Sequence, residues 1–114
     1  MDIQQLFDAG FQARCNGQYG LARTYLSAVL AQEPHHADAR WQLGLVMGFE
    51  GDFDGSLAAL KALVADHPNH VSAHYDLGMT YMMLGMDAEA VASFQRVISL
   101  DPTHENAQRQ LAYF

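Results

Sequence analysis

The feature that most constrains this chain is a 34-residue repeat that recurs three times and fills almost all of its length. Its clearest markers are Pro34, Pro68 and Pro102, each close to the end of one copy. The third copy, residues 71–104, reads VSAHYDLGMTYMMLGMDAEAVASFQRVISLDPTH. A fixed period of this length is typical of arrays in which each copy is one supersecondary unit that buries its apolar face by stacking on its neighbours.

Glycine and proline recur at fixed places within each copy. Glycine occupies the eighth position, where it lets two helices approach closely, and the fifteenth, where it suits a left-handed residue at the end of the first helix. Proline at the thirty-second position ends the second helix, because proline has no N–H to donate. The glycines are Gly10, Gly44 and Gly78 at the eighth position and Gly17, Gly51 and Gly85 at the fifteenth.

On these residues the chain resembles the tetratricopeptide repeat (TPR) family, in register over residues 3–104. The resemblance implies an all-α, right-handed TPR solenoid and a protein-interaction module that serves as an adaptor or scaffold. We expect one domain over residues 1–114, with repeats at about 3–36, 37–70 and 71–104 and a capping helix at about 105–114. Ala107 and Leu111 of that last segment match places in a fourth copy.

The same pattern predicts the helices and their caps. The predicted helices span residues 3–16, 19–32, 37–50, 53–66, 71–84, 87–99 and 104–113. Asp52 is placed to cap the helix that follows it, because a short side-chain oxygen can accept from the first turn. Asn69 and Thr103 lie where caps for the next helices are expected.

Composition narrows the class of partner. Thirteen acidic and six basic side chains give a formal net charge of −7 at pH 7 with neutral histidines. Since phosphate contacts need clustered Lys and Arg, we expect neither nucleic acid nor a membrane as partner, but a basic or neutral protein. No secretory signal is visible in MDIQQLFDAG, and no apolar run approaches the roughly 20 residues that cross a bilayer. The single Cys15 forms no internal disulfide, which fits a cytoplasmic location.

The first helix of each repeat, helix A, carries more apolar surface than a helix pair needs. Positions two, five, nine, twelve and thirteen lie opposite the face that packs on the second helix, and the resemblance assigns that opposite face to the concave groove where TPR proteins bind partners. The predicted partner-binding residues are Phe7, Phe11, Asp38, Trp41, Leu45, Phe49, Tyr75, Met79, Met82, Met83 and Arg109. Aromatic anchors and adaptable methionines predict an apolar or amphipathic peptide or helix as ligand, with Trp41 the best single candidate.

Two other interpretations of this row stay open. Single members such as Phe7, Leu45 or Met79 are as compatible with a core position as with a binding surface. Alternatively, the chain is a self-assembling scaffold whose groove receives a neighbouring copy, for which residues 111–114 supply an apolar segment. A homo-oligomer is therefore the second candidate beside a receptor for another protein.

One well-known group of TPR proteins binds the acidic carboxyl terminus of heat-shock chaperones through Lys and Asn side chains. The corresponding positions here hold Phe7, Phe11, Gln42, Ser72 and Asp76, none of which is basic. An acidic tail would therefore meet Asp38 and Asp76 without a counter-charge. We expect no binding of such tails, and a basic residue of the partner near Asp38, Asp76 or Glu50.

Six histidines raise the question of a metal site. They are His35, His36, His67, His70, His74 and His104. The three at the last repeat position are too far apart to share an ion, and no cysteine or paired carboxylate completes a set around residues 67–74. We expect solvated turns with a mild response near pH 6.5, no metal and no cofactor, with a metal-dependent regulator as a minor alternative. The chain has no phosphate loop, nucleophile elbow or HExxH spacing, so we expect no enzyme.

Overall fold

The computed structural model describes all residues from Met1 to Phe114 and contains seven α-helices and no strand. The helices are α1 (Ile3–Cys15), α2 (Tyr19–Gln32), α3 (Ala37–Phe49), α4 (Phe53–Asp66), α5 (Val71–Met83), α6 (Asp87–Leu100) and α7 (Glu105–Leu111). The all-α prediction is confirmed, and the first six helices begin at the predicted residues. Helix ends move by at most one residue in these six, whereas α7 is shorter than predicted. None of the seven has the length and apolar character that a transmembrane segment requires.

The chain divides into two compact units, Met1–Ala59 and Leu60–Phe114, with the division inside α4. In the first unit α1 packs on α2 and α2 packs on α3. In the second unit α5 packs on α6 and α6 packs on α7. The expectation of one domain over the whole chain stays a prediction.

The core of the first unit is built from small and branched side chains. Its buried members are Ala13, Ala22, Leu26, Val29, Ala39 and Val46. Gly10 makes the pairing of α1 and α2 possible, because a Cβ at this position would lie 2.8 Å from Leu26 Cγ. The predicted close approach of the two helices is therefore confirmed here.

The second unit has the same close approach of two helices, and a larger side chain faces the glycine. Its fully buried side chains include Leu60, Leu63, Phe94 and Val97. A Cβ at Gly78 would lie 2.7 Å from Phe94 Cε1 and would meet three atoms of that ring within 3.0 Å. The absence of a side chain at Gly78 thus lets a phenylalanine ring fill the space between α5 and α6.

The turns inside the repeats follow the glycine prediction. Gly17, Gly51 and Gly85 have φ angles of 74°, 85° and 73°, in the left-handed region that side chains with a Cβ rarely adopt. A Cβ at any of the three would meet nothing within 4 Å. Glycine is needed here for its backbone conformation and not for space.

The helix caps correct one part of the sequence prediction. Asp52 does cap α4, since its Oδ1 accepts a hydrogen bond from the Gly55 N–H at 2.8 Å. Asn69 and Thr103 do not cap α5 and α7, so that prediction was wrong. The caps are the residues that follow them, His70 and His104. The physical reason is the turn after the proline, which brings the last repeat residue to the start of the helix.

Candidate partner-binding surfaces

The predicted groove residues of the first unit lie on α1 and α3 and are called the first-unit surface. They are Phe7, Phe11, Asp38, Trp41, Leu45 and Phe49. Phe11 is 40% exposed and Phe49 is 57% exposed, and Asp38 is exposed as well. The side chains of Phe7, Trp41 and Leu45 are half-buried. The surface thus has two open aromatic rings with partly buried apolar side chains on the same two helices.

An arginine lies between the two open rings. The guanidinium carbon of Arg14 is 5.3 Å from the centre of the Phe11 ring and 5.9 Å from the centre of the Phe49 ring. Tyr19, at the start of α2, stacks on Phe49, with 5.6 Å between the ring centres and 8° between the ring planes. These four side chains form a continuous row at the carboxyl ends of α1 and α3.

A buried amide holds this arginine in place. Arg14 donates its Nε–H to Oε1 of Gln42, a residue only 1% exposed. Gln42, which stands at one of the positions that correspond to the clamp for acidic tails, has a buried side chain that orients Arg14. Since the two residues are 28 positions apart, only the packing of α1 against α3 brings them together. Tyr19 was also missed, because it belongs to the second helix of its repeat.

Phe7 combines two of the interpretations that the sequence left open. It packs against the buried core of the first unit as a partly buried side chain. Its ring also stacks on His36, with 5.4 Å between ring centres and 27° between planes. Phe7 is therefore partly a core residue, and its ring also contacts the histidine that caps α3.

Two acidic side chains of the first unit, Asp38 and Glu50, were suggested by the sequence as contacts for a basic partner. Glu50, which the sequence suggested as a contact for a basic partner, forms an ion pair with Arg23. Both side chains are about a third or more exposed, at 32% and 42%, so water screens this pair. Asp38 lies exposed in the first turn of α3. Asp38 and Glu50 are thus both accessible to solvent.

The second unit presents a methionine surface on α5. Met83 is 63% exposed, and Met79 and Met82 are half-buried. Tyr75 is half-buried, because its ring packs 5.7 Å from Phe94 and 5.2 Å from His104. Arg109 on α7 is exposed and donates from Nη1 to Asn106 Oδ1 on its own helix. We call Tyr75, Met79, Met82 and Met83 the second-unit surface.

The histidines do more than line solvated turns, which corrects the sequence interpretation. His36, His70 and His104 cap α3, α5 and α7 through Nδ1. His74 is buried, and its Nε2 lies 2.7 Å from the carbonyl oxygen of Pro68. His67 has a buried Nε2 without a hydrogen-bond partner. No group of three or more His, Cys, Asp or Glu side chains has the arrangement that a metal ion needs.

Solved structures of helical repeat proteins resemble this chain over nearly its whole length. The first TPR of Spaghetti (RPAP3), bound to the HSP90 peptide SRMEEVD, matches with a TM-score of 0.91 at 18% identity, over 97% of this chain and 88% of that one. The Arabidopsis OM64 TPR domain matches with a TM-score of 0.89 at 15% identity, over 97% and 92%. MamA matches with a TM-score of 0.87 at 21% identity over 96% of this chain, which spans 64% of the MamA chain, less than two thirds of its length.

At identities below 25% these likenesses show the fold alone. No protein with curated annotation matches the sequence. The family model for the tetratricopeptide repeat matches residues 13–46 and 49–105, which is most of the chain. Together with the 34-residue period and the paired helices, this match shows that the chain belongs to the tetratricopeptide repeat family.

Proposed function

We propose that this chain is a protein-interaction module whose helix A surfaces bind an apolar or amphipathic peptide or helix. TPR domains are in general non-catalytic modules for protein interaction, which supports the class of function. The observation that carries the finer proposal is the exposure of Phe11, Phe49 and Met83 on α1, α3 and α5. Phe11 and Phe49 belong to the first-unit surface and Met83 belongs to the second-unit surface, and exposed apolar patches on a protein often mark interaction sites.

Preorganisation is the proposed physical basis of binding at the first-unit surface. Arg14 is held by Gln42 and by the rings of Phe11 and Phe49, so its side chain is already ordered before a ligand arrives. Binding then costs little additional side-chain entropy on this side of the interface. The exposed parts of the Phe11 and Phe49 rings are available to apolar side chains of the ligand, and Asp38 lies on the same surface for a basic one.

The charge pattern separates this proposal from recognition of acidic tails. The Spaghetti TPR is bound to the HSP90 peptide SRMEEVD, which carries three acidic side chains. Here Phe7 and Phe11 stand at two of the positions that would need basic or amide side chains, and the amide of Gln42 is buried. We therefore propose a basic or neutral ligand. The cytoplasmic location and the lack of nucleic-acid or membrane partners stay predictions from composition.

Selection from a random peptide library tests the proposal directly. Trp41 is the single tryptophan of the chain and lies on the first-unit surface, so its fluorescence reports binding of selected peptides. The variant Phe11→Ala/Phe49→Ala should weaken the binding of selected peptides by about 2 kcal/mol or more, which is the usual contribution of a central aromatic anchor. A matched control is Leu21→Ala, because Leu21 on α2 is 44% exposed and lies outside the predicted surface.

Two outcomes would contradict the proposal. Equal affinities for wild type and Phe11→Ala/Phe49→Ala would show that the open rings do not contact the ligand. Recovery of acidic peptides alone would show that the charge argument is wrong. Arg14→Ala is less suitable as a binding variant, since it also leaves the buried Gln42 amide without its partner and destabilises the fold.

Self-assembly through the same surfaces is the second candidate function. It is favoured by Tyr113 and Phe114, which are 73% and 48% exposed and supply an apolar segment for a neighbouring copy. Sedimentation over a hundredfold range of concentration distinguishes the two functions, because self-assembly makes the mass depend on concentration. In that case Tyr113→Ser/Phe114→Ser should return the protein to a monomer, and a mass independent of concentration would exclude this candidate.

A further inference from the structure

Three of the seven helices begin with the same side-chain contact. In each, Nδ1 of a histidine accepts a hydrogen bond from the backbone N–H three residues further on. The distances are 3.0 Å for His36 and Ala39, 3.0 Å for His70 and Ala73, and 3.1 Å for His104 and Ala107. The first N–H groups of a helix have no partner inside the helix, so each contact satisfies one of them.

The turn that precedes each of these helices is also the same. The N–H of the histidine donates to the carbonyl oxygen three residues earlier, at 3.1 Å in all three turns. A proline follows that carbonyl residue each time, in the order Glu33–Pro34, His67–Pro68 and Asp101–Pro102. The imidazole is therefore held at the helix start by the backbone of the turn, and the contact is a repeated structural element.

The chemistry of imidazole makes this contact dependent on protonation. Nδ1 accepts a hydrogen bond only while it carries no proton, which requires the neutral ring with its proton on Nε2. Protonation turns Nδ1 into a donor that faces the backbone N–H. It also places a positive charge at the positive end of the helix dipole. Histidine is in general the side chain whose charge changes between about pH 5 and 8.

We propose that the histidines at the last repeat position form an acid-sensitive device that holds the starts of α3, α5 and α7 at neutral pH and releases them on protonation. The geometry of the caps determines whether acid raises or lowers folding stability. The folded caps need the neutral ring, whereas the unfolded chain accepts either form. Stability contributed by the caps is therefore present at neutral pH and is lost as the pH falls.

His36 lies beside an aromatic ring of α1 and near charged residues of its own turn and helix. From α1 the facing group is the uncharged ring of Phe7. The charged or titratable neighbours along its own turn and helix are Glu33, His35, Asp38 and Arg40. His36 forms no ion pair with any carboxylate. Arg23 of α2 is paired with Glu50, at the opposite end of α3.

His104 lies in a comparable environment in the second unit. From α5 the facing group is the Tyr75 ring. The carboxylate of Asp101, in the preceding turn, accepts from the N–H and the hydroxyl of Thr103. Glu105 follows the cap in α7, and His104 forms no ion pair with either carboxylate.

The third cap, His70, shares its turn with Asp66 and His67, and these residues line one cavity of about 390 Å³. His74 lies one turn further along α5 and provides a useful contrast. Its Nε2 lies against the carbonyl of Pro68, and a ring nitrogen that donates to a carbonyl keeps that bond when the ring is protonated. His74 is therefore not part of the device.

The helix α1 serves as an internal reference. It begins with Asp2, whose Oδ1 accepts from the Gln5 N–H at 2.8 Å, while the Gln5 side chain accepts from the Asp2 N–H at 2.9 Å. A carboxylate stays charged in the range where histidine becomes protonated, because aspartate titrates in general at about pH 4. Acid in this range should loosen α3, α5 and α7 and leave the start of α1 unchanged.

Two of the capping histidines contact residues of the candidate binding surfaces. Phe7 of the first-unit surface stacks on His36, and Tyr75 of the second-unit surface packs on His104. Release of the caps would thus disturb two aromatic residues that we propose as ligand contacts. This consequence rests on the proposed function, whereas the acid sensitivity of the helix starts does not.

Nuclear magnetic resonance of the full chain tests the device without any substitution. Between pH 7.5 and 5.5 the amide signals of Ala39, Ala73 and Ala107 should shift together with the ring signals of the histidines that cap them. Hydrogen exchange of these amides, corrected for its intrinsic pH dependence, should become about fivefold faster per lost cap, the equivalent of about 1 kcal/mol. The Gln5 amide should not respond. Amides that stay unchanged while the capping rings become protonated would overturn the proposal.

A cap that cannot titrate provides the matched variant. Asparagine caps helices well and carries no charge, so His36→Asn/His70→Asn/His104→Asn should keep the caps at every pH. The wild type should lose about 10 °C in Tm between pH 7.5 and 5.5, and the triple variant less than half of that. His35→Asn alters an exposed histidine of the same turn and should retain the wild-type loss. An equal loss in wild type and triple variant would refute the device.

Discussion

The two compact units follow the same backbone rules and differ in the side chains that they expose. Gly17 in the first unit and Gly85 in the second have nearly the same φ, 74° and 73°. The thirteenth repeat position, by contrast, is occupied by Phe49 in one unit and by Met83 in the other, both open to solvent. The comparison indicates which positions the repeat geometry requires and which remain available for recognition of a ligand.

The exposed surfaces differ in rigidity as well as in residue type. On the first-unit surface Arg14 is fixed between Phe11 and Phe49 and is hydrogen-bonded to Gln42. The second-unit surface presents three methionines, whose unbranched side chains adapt to irregular apolar partners. The side chains of the first-unit surface are thus more preordered, and those of the second-unit surface are more adaptable.

The cores of the two units differ where the paired helices approach closely. Substitutions at this point should cause the largest change in folding stability. Gly10 faces the flexible side chain of Leu26, whereas Gly78 faces the rigid and fully buried ring of Phe94. Gly78→Ala should therefore lower the free energy of unfolding by about 2 kcal/mol, and Gly10→Ala should lower it by no more than about 1 kcal/mol. Both values include the gain from the higher helix propensity of alanine. Urea unfolding followed by circular dichroism measures both.

Gly20→Ala is the matched control for these two variants, because a Cβ at Gly20 would meet nothing within 4 Å. This change in α2 should leave the protein as stable as wild type or slightly more so. Equal losses for Gly10→Ala and Gly78→Ala would remove the distinction between a flexible and a rigid neighbour.

A smaller and equal effect is expected at the turn glycines. Gly17→Ala and Gly85→Ala force a Cβ into a left-handed residue without any steric contact, which costs roughly 1–2 kcal/mol. Because the cause is the backbone alone, the two losses should agree within about 0.5 kcal/mol. A large difference between them would mean that the turns of the two units are not equivalent.

The smallest effect is expected for the surface ion pair of the first unit. Arg23→Gln removes the pair with Glu50 and should cost at most about 1 kcal/mol of folding stability, since both side chains are partly exposed to water. The loss should shrink at 0.5 M salt, where such pairs are screened. Thermal unfolding at two salt concentrations measures this. A loss of stability above about 2 kcal/mol would show that the pair contributes more than a screened surface ion pair does.

Much of the fold was predictable because its determinants are local. The glycines and prolines recur at one period, and they placed the starts of the first six helices correctly. The caps of α5 and α7 were predicted one residue too early, at Asn69 and Thr103. Cap preferences favour those residue types, but the turn after the proline brings His70 and His104 to the helix starts.

The candidate site was only partly predictable. Periodicity identifies the face of helix A that carries Phe11, Phe49 and Met83, and their exposure agrees with an outward position. It could not predict that Phe7 is partly core, or that Gln42 is buried. Such distinctions depend on which neighbouring helix covers a side chain, and a single helix pattern contains no information on that.

The sequence by itself determined the 34-residue helix-pair repeat, because left-handed glycines, helix-ending prolines and apolar periodicity act within a few residues of chain. Only the tertiary structure decided that Arg14 lies between Phe11 and Phe49 on the support of Gln42, and that Phe7 and Tyr75 pack on capping histidines. Apart from the contact of Arg14 with Phe11 inside α1, these contacts join residues 28 to 35 positions apart in the chain. They depend on the packing distance between helices, which the local pattern leaves undetermined.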